Sequence, residues 1–208
     1  MKHILIADDH EIVRYGVNDI IEKLNIDIAC SIYEASTCRE MLDILSVQAM
    51  DYIILDLQLA DGHAFPLIDI LVKDYPQTAV IVYTMNAEKI YARRLIRKGV
   101  RGYVCKQAGI GELKVALEKF LHGELYLSPA LKKELADGDQ PNLIDTLSDR
   151  ELEVVEYLIS GMSNKEIAYT MNVDRTTIST FRRRALEKLG AENNTELKEI
   201  FNLYQAGS

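Results

Sequence analysis

The sequence predicts an α/β domain built on a doubly wound, five-stranded parallel sheet, followed by a small all-α domain. Five short apolar runs in the first 125 residues are each followed by a segment with helical spacing, the alternation that builds a parallel sheet with helices on both faces. Within each run apolar residues are nearly continuous, as in strands buried on both faces. From residue 146 onward, capping signals open one helical segment after another.

The strand-like runs are Ile4–Ala7, Ile26–Ile32, Tyr52–Leu55, Val80–Tyr83 and Gly102–Cys105. Helical periods lie between and after them. Ile12, Val13, Gly16, Val17, Ile20, Ile21 and Leu24 keep an i, i+3/i+4 pattern, as do Leu113, Ala116, Leu117, Phe120 and Leu121. In such sheets ligands bind beyond the carboxyl ends of the strands. The polar residues of this half fall there: Asp8 and Asp9 follow the first run, Asp56 ends the third, Thr84 ends the fourth and Lys106 follows the fifth.

Three carboxylates brought close together repel and raise a pKa unless a cation sits among them. A hard divalent ion such as Mg²⁺, which prefers carboxylate and water oxygens, answers that need. Lys106 and Thr84 then suit a phosphoryl group on Asp56, the ammonium offsetting charge and the hydroxyl donating to an oxygen. Asp56 is the expected nucleophile, forming an acyl phosphate. A lone Asp-Asp pair after a strand is ordinarily a helix N-cap with a solvated neighbour. Its coincidence with Asp56, Thr84 and Lys106 at four strand ends favours a site.

This half resembles the receiver domain of bacterial response regulators. The resemblance rests on Ala7-Asp8-Asp9-His10-Glu11-Ile12-Val13-Arg14-Tyr15-Gly16, Leu55-Asp56-Leu57, Tyr83-Thr84 and Gly99-Val100-Arg101-Gly102-Tyr103-Val104-Cys105-Lys106, and covers about residues 1–125. It implies the flavodoxin-like topology and a sensor histidine kinase that phosphorylates Asp56. By the same resemblance Asp9 binds Mg²⁺ directly, Asp8 mainly through water, and the main-chain carbonyl of Gln58 is a further ligand. Thr84 and Tyr103 match the switch pair, Thr84 moving toward the phosphoryl group and Tyr103 changing its burial. Gln58 and Asn86 match positions that tune dephosphorylation in the family. Ala60 and Ala64 depart from its usual proline and frequent glycine.

Helical periodicity fades after His122. Ser128-Pro129 can open a short helix through Leu131 and Leu135, with proline at its first position. Asp137-Gly138-Asp139-Gln140-Pro141 is turn-rich and polar, as a flexible linker is. The expected division is therefore a first domain at 1–122, a linker at 123–145 and a second domain at 146–208.

In the second domain, Ser148 and Glu151 form a capping box ahead of Leu152, Val155, Leu158 and Ile159, and Gly161 stops the helix. Ser163 and Glu166 form another, opening a helix with Ile167, Ala168 and Met171 inside. Asn172-Val173 makes the turn, and Asp174 is expected to cap a third helix running to Leu189, with Gly190 as its stop. Two short helices about a tight turn, the second one basic, describe a helix-turn-helix. Ile178, Ala185 and Leu189 share the inner face of the third helix, while Ser179, Thr180 and Arg183 lie opposite, able to enter a DNA major groove. Arg182, Arg184 and Lys188 suit phosphate contacts.

This second half resembles the LuxR-type DNA-binding domain of the NarL/FixJ group, on Leu147-Ser148, Arg150-Glu151, Glu153-Val154, Gly161 to Ala168, Thr176-Thr177-Ile178 and Glu187-Lys188-Leu189-Gly190. The resemblance implies base reading by Ser179, Thr180 and Arg183, and phosphate contacts by Lys165, Thr177 and Lys188. Phe181 stands where the family has histidine, and Ala185 where it has a larger aliphatic residue, a pair that can compensate in the core. Leu197, Ile200, Phe201 and Tyr204 make a final helical stripe that serves either the core or, as in the family, a contact between two copies.

Composition fits this reading. The net charge of −8 excludes a protein that coats nucleic acid along its whole surface. The basic residues Arg175, Arg182, Arg183, Arg184 and Lys188 are instead gathered in one helix. Three cysteines without paired spacing suggest neither a disulfide framework nor a zinc site. No apolar run approaches the roughly 20 residues of a membrane span, so a cytoplasmic location without membrane attachment is expected. A phosphatase acting through an aspartyl phosphate commonly needs a second acid two residues beyond the nucleophile. Gln58 stands there, so no enzyme activity is expected beyond Mg²⁺-dependent self-phosphorylation and dephosphorylation of Asp56. The combination describes a phosphorylation-controlled regulator that binds double-stranded DNA, as a homodimer when phosphorylated.

Overall fold

The computed structural model describes residues 1–24, 29–136 and 143–206. The chain forms two compact units, residues 1–137 and 138–208.

In the first unit, strands β1 (Lys2–Ala7), β2 (Cys30–Ala35), β3 (Tyr52–Leu55), β6 (Ala79–Thr84) and β7 (Tyr103–Cys105) form one parallel sheet in the order β2-β1-β3-β6-β7. A two-residue hairpin, β4 (Gln58–Leu59) with β5 (Gly62–His63), follows β3. The helices are α1 (Glu11–Lys23), α2 (Cys38–Val47), α3 (Leu67–Asp74), α4 (Glu88–Lys98), α5 (Ile110–Leu121) and α6 (Pro129–Ala136). Strand alternation sends Ile4, Ile6, Ile54, Ile81 and Val104 to one face, where they pack with Val17 and Ile21 of α1 and Leu113, Leu117 and Phe120 of α5. The intervening Leu5, Ile53, Leu55, Val80 and Val82 are equally buried. This doubly wound core sets where the strand ends lie.

The second strand corrects the expected range. It runs from Cys30 to Ala35 rather than from Ile26 to Ile32, and Ile26 to Ile28 lie outside the described residues. Standing at the sheet edge, β2 accommodates Ser31, Tyr33 and Glu34, so its sequence lacks the continuous apolar run of a central strand. The expected flexible stretch at 137–141 also lies outside the described residues. The segment before it, expected in the linker, packs within the first unit. Tyr126 bridges Gly102, and α6 follows with Pro129 as its first residue. Gly102 permits this approach, since a Cβ there would stand 3.0 Å from Ile81 and 3.2 Å from the Tyr126 Cβ.

The second unit contains a 3₁₀ turn (Leu143–Thr146) and helices α7 (Asp149–Ile159), α8 (Asn164–Thr170), α9 (Arg175–Leu189) and α10 (Asn194–Ala206). Both expected capping boxes form, Ser148 with Glu151 and Ser163 with Glu166. Asp174 occupies the N-cap position of α9 in extended backbone but makes no side-chain cap hydrogen bond, a correction to its expected role. Gly190 closes α9 at φ 68°, a left-handed conformation glycine adopts without a Cβ penalty. Ile144, Leu152, Val155, Ile167, Ile178, Ala185, Leu189, Leu197 and Phe201 are buried in this unit. Among the described residues no helix is long and apolar enough to cross a membrane.

Candidate functional site

Parallel pairing of Ala7 with Leu55 and of Thr84 with Cys105 brings the following residues out along one edge of the sheet. Asp8 and Asp56 are almost wholly buried there, 2% and 5% exposed. Lys106 Nζ lies 2.6 Å from Asp8 Oδ2 and 2.5 Å from Asp56 Oδ2, with the Tyr83 ring 5.6 Å away. Asp56 Oδ1 accepts from the Gln58 amide at 3.1 Å, which holds the Gln58 main chain against this carboxylate. Asp8 Oδ1 accepts from the His10 amide at 3.0 Å, and Arg14 donates to both the Asp8 carbonyl and Glu34.

Burial pushes the Asp8 carboxyl up, an effect that Lys106 and the His10 amide offset only in part. For Lys106 burial works in the opposite direction, but hydrogen bonds to Asp56 and Asp8 outweigh it and hold the ammonium above its ordinary range. The pocket thus stabilises negative charge only while a cation lies within it. Asp8, Asp9 and His10 also place ligand atoms within 4.8 Å of one another. The Asp9 Oδ1 is shut off from solvent, 2.6 Å from His10 Nδ1 but without a well-directed hydrogen bond. A buried carboxylate oxygen left in this way, beside the Asp8 carboxylate, fits a hard cation, although Asp56 does not join this group of ligand atoms.

The loop after Asp56 is held despite Ala60 and Ala64. The β4–β5 hairpin folds it back, the buried Ala64 donates to the Leu57 carbonyl at 2.7 Å, and Ala60 donates to Ser36. Asp61 accepts from the Cys38 and Arg39 amides, fastening the loop to the first turn of α2. A two-residue strand pair leaves no periodic trace in the sequence.

Thr84 and Tyr103 are both fully buried and meet at Asn86. The Thr84 hydroxyl donates to the Asn86 side-chain oxygen at 2.9 Å, and the Tyr103 hydroxyl donates to the Asn86 carbonyl at 2.8 Å. In the sequence Asn86 stands out only as a tuning position. Its role as the common acceptor for Thr84 and Tyr103 is visible only in the fold, as are the contacts of His10 and Arg14 with Asp8.

In the second unit Ser179, Arg183 and Arg184 are exposed and Thr177, Thr180 and Arg182 half-buried on α9, while Lys165 is exposed on α8. Ser179 and Thr180 donate to the carbonyls four residues back, and Asn164 reaches Ser179 at 3.5 Å. Three of the basic residues are engaged: Arg183 with Glu187 at 2.6 Å, Arg182 with Asn194 at 2.8 Å and Lys188 with Glu151 at 2.6 Å. Lys188 therefore also braces α9 against α7, a function its position in the basic stripe did not announce. Phe181 is half-buried and Ala185 fully buried. Of the last stripe, Leu197 and Phe201 are core residues, while Ile200 and Tyr204 are half-buried; Leu203, outside the stripe, is exposed.

Comparison with known proteins matches both units. The family model of the response regulator receiver domain matches residues 4–118, and that of the bacterial regulatory proteins of the luxR family matches residues 145–201. The chain is similar to the virulence-factors positive transcription regulator BvgA of Bordetella pertussis, with 31% identity over 201 residues and 95% of each chain covered. It is similar in fold to the RcsB response regulator of Salmonella typhimurium, with a TM-score of 0.78 at 26% identity over 99% of this chain and 100% of that one. RcsB from Salmonella enterica serovar Typhimurium, bound to promoter rprA in the presence of phosphomimetic BeF3−, aligns with a TM-score of 0.75 at 26% identity over 97% and 99% of the two chains. The receiver sheet with its acidic edge and the helix-turn-helix beyond it place this chain among the response regulators of the NarL/FixJ group, phosphorylation-dependent DNA-binding transcription regulators.

Proposed function

We propose that Asp56 is the phosphoryl acceptor of this regulator and that its modification controls DNA binding by α9. The observation that carries this is the Lys106 ammonium held between the buried Asp8 and Asp56 carboxylates at adjoining strand ends. Asp56 attacks the phosphorus of a phosphohistidine on a sensor histidine kinase. A P–O bond forms, the P–N bond breaks, and the imidazole leaves with the electron pair. Asp8, Asp9, Asp56 and the Gln58 carbonyl would hold Mg²⁺, which offsets charge on the transferring group. Lys106 adds a second positive charge, and the Thr84 hydroxyl turns to a phosphoryl oxygen.

On α9, Ser179, Thr180 and Arg183 read bases, while Lys165, Thr177, Arg182, Arg184 and Lys188 contact phosphates of double-stranded DNA. The pairing of Arg182 with Asn194 and of Lys188 with Glu151 holds those two cations in place. The functional division is 1–122 receiver, 123–145 connector and 146–208 reader. The protein acts in the cytoplasm, as a homodimer when phosphorylated. The BeF3−-bound RcsB complex with promoter DNA supports this link between the phosphorylated state and binding.

The test compares wild type with Asp56→Asn, incubated with an acyl phosphate and Mg²⁺. Wild type gains a phosphoryl group by mass, doubles its oligomeric mass and binds DNA more tightly, while Asp56→Asn does none of these. An Asp56→Asn protein that still gains DNA affinity refutes the acceptor assignment.

A further inference from the structure

The helix α6 is tied to α4 at two points. Ser128, 4% exposed, donates its hydroxyl to Glu88 Oε2 at 2.9 Å and accepts from the Leu131 amide at 3.0 Å, so one hydroxyl both caps α6 and docks it. Further along, Arg93 of α4 is 4% exposed and pairs with Glu134 of α6 at 2.9 Å. Leu131, between these ties on α6, is fully buried. The preceding residue Tyr126 is fixed independently: its amide donates to the Arg101 carbonyl and its hydroxyl to Glu112.

The first tie begins next to the switch. Glu88 is the first residue of α4, two residues after Asn86, which accepts from both Thr84 and Tyr103. Thr84 to Glu88 spans four residues, at most about 14 Å of chain. Displacement of Thr84 or Asn86 must therefore shift the Glu88 carboxylate or be absorbed within three intervening residues. The carboxylate end of the tie is also costly to bury. Burial pushes the Glu88 carboxyl up, Ser128 offsets this only in part, and Glu112 and Glu134 add like charge. Glu88 Oε1 is buried without a partner.

We propose that α6 is a releasable strap. When the Thr84 hydroxyl turns toward phosphorylated Asp56, Asn86 loses that donor, residues 84–88 rearrange, Glu88 lets go of Ser128, and α6 leaves α4. The chain leading to the DNA-binding unit is then freed at its root. Such a switch needs two discrete arrangements whose balance the modification shifts. The two-point attachment of α6 supplies the first of them. This inference rests on Asp56 as the acceptor.

Hydrogen exchange of the full chain tests it, read at the amides of residues 131–136 with and without an acyl phosphate plus Mg²⁺, alongside the intact mass. In the phosphorylated wild type these amides exchange about tenfold faster, the scale of opening expected when a hydrogen bond to a charged group is lost, while α5 keeps its protection. A chain that carries the phosphoryl group yet shows unchanged α6 exchange overturns the strap. Glu88→Ala supplies the second arm: without any phosphodonor it exchanges at the phosphorylated rate, and Glu88→Gln, which retains an acceptor for Ser128, stays near wild type. Wild-type protection of α6 in Glu88→Ala also overturns the proposal. A chain that takes up no phosphoryl group refutes the acceptor assignment instead, and Glu88→Ala then decides the strap alone.

Discussion

Lys106 Nζ and Asp56 Oδ2 stand 2.5 Å apart in a pocket where both side chains are at least nine-tenths buried, and the same ammonium reaches Asp8. Lys106→Met would leave two buried carboxylates facing each other. Breaking a buried pair in this way costs about 3–5 kcal/mol. Added Mg²⁺ should restore much of that loss, so the variant gains more stability from the metal than wild type does. Urea unfolding with and without Mg²⁺ measures it. Equal gains in the two proteins would argue against a cation site formed by these carboxylates.

In the second unit Glu151 supplies a pH dependence. Burial disfavours its carboxylate, but hydrogen bonds from Lys188 and the Ser148 amide outweigh this and hold the group below its ordinary 4.5. A lowered folded value means that the stabilisation is full above that ordinary value and lost as pH falls through the folded one. The protection factors of the α7 amides, each referred to the intrinsic exchange rate at the same pH, should therefore fall below about pH 4.5. Glu151→Gln should be less stable at neutral pH and show a flatter acid limb.

Gly102 and Gly111 should respond oppositely to alanine. At Gly102 the new methyl would stand 3.0 Å from Ile81 in the core, whereas at Gly111, within α5, it meets nothing within 4 Å. Gly102→Ala should cost about 1–3 kcal/mol by overpacking. Gly111→Ala should stabilise by about 0.4–1 kcal/mol through lower unfolded-state entropy. Denaturation midpoints of the two variants check both signs.

DNA binding should separate Arg183 from Lys165. The Arg183–Glu187 pair is exposed and cheap to break, so Arg183 can be given up to a base edge. Arg183→Ala should lose about 1–3 kcal/mol and relax preference at one base position. Lys165→Ala should weaken all sequences alike and reduce the salt slope by about one. A titration series over salt and single-base variants distinguishes them, and a uniform loss in Arg183→Ala would remove it from the base-reading set.

Much of this was legible before the structure. Asp8, Asp56, Thr84 and Lys106 could be located because central parallel strands are continuous apolar runs, which makes a charge at their ends conspicuous. The capping boxes at Ser148 and Ser163 were legible because their chemistry is local, three residues apart. The edge strand was legible only in part, as a run ending at Ile32 where the strand continues to Ala35, since half-exposure weakens the apolar signature, and the hairpin of residues 58–63 was not, being too short to carry a period. Asp174 shows the limit of even local rules, for it takes the cap position without making the bond.

The sequence by itself determined the two-unit plan, the acidic strand ends and the helix-turn-helix, because periodicity and capping act over a few residues. Only the tertiary structure decided how those residues are used. That Lys106 joins Asp8 to Asp56, that Lys188 braces Glu151 from 37 residues away, and that Asn86 receives both Thr84 and Tyr103 depends on parallel register and helix packing. Such pairings bring together groups distant along the chain, and their strength comes from burial, which no local pattern encodes.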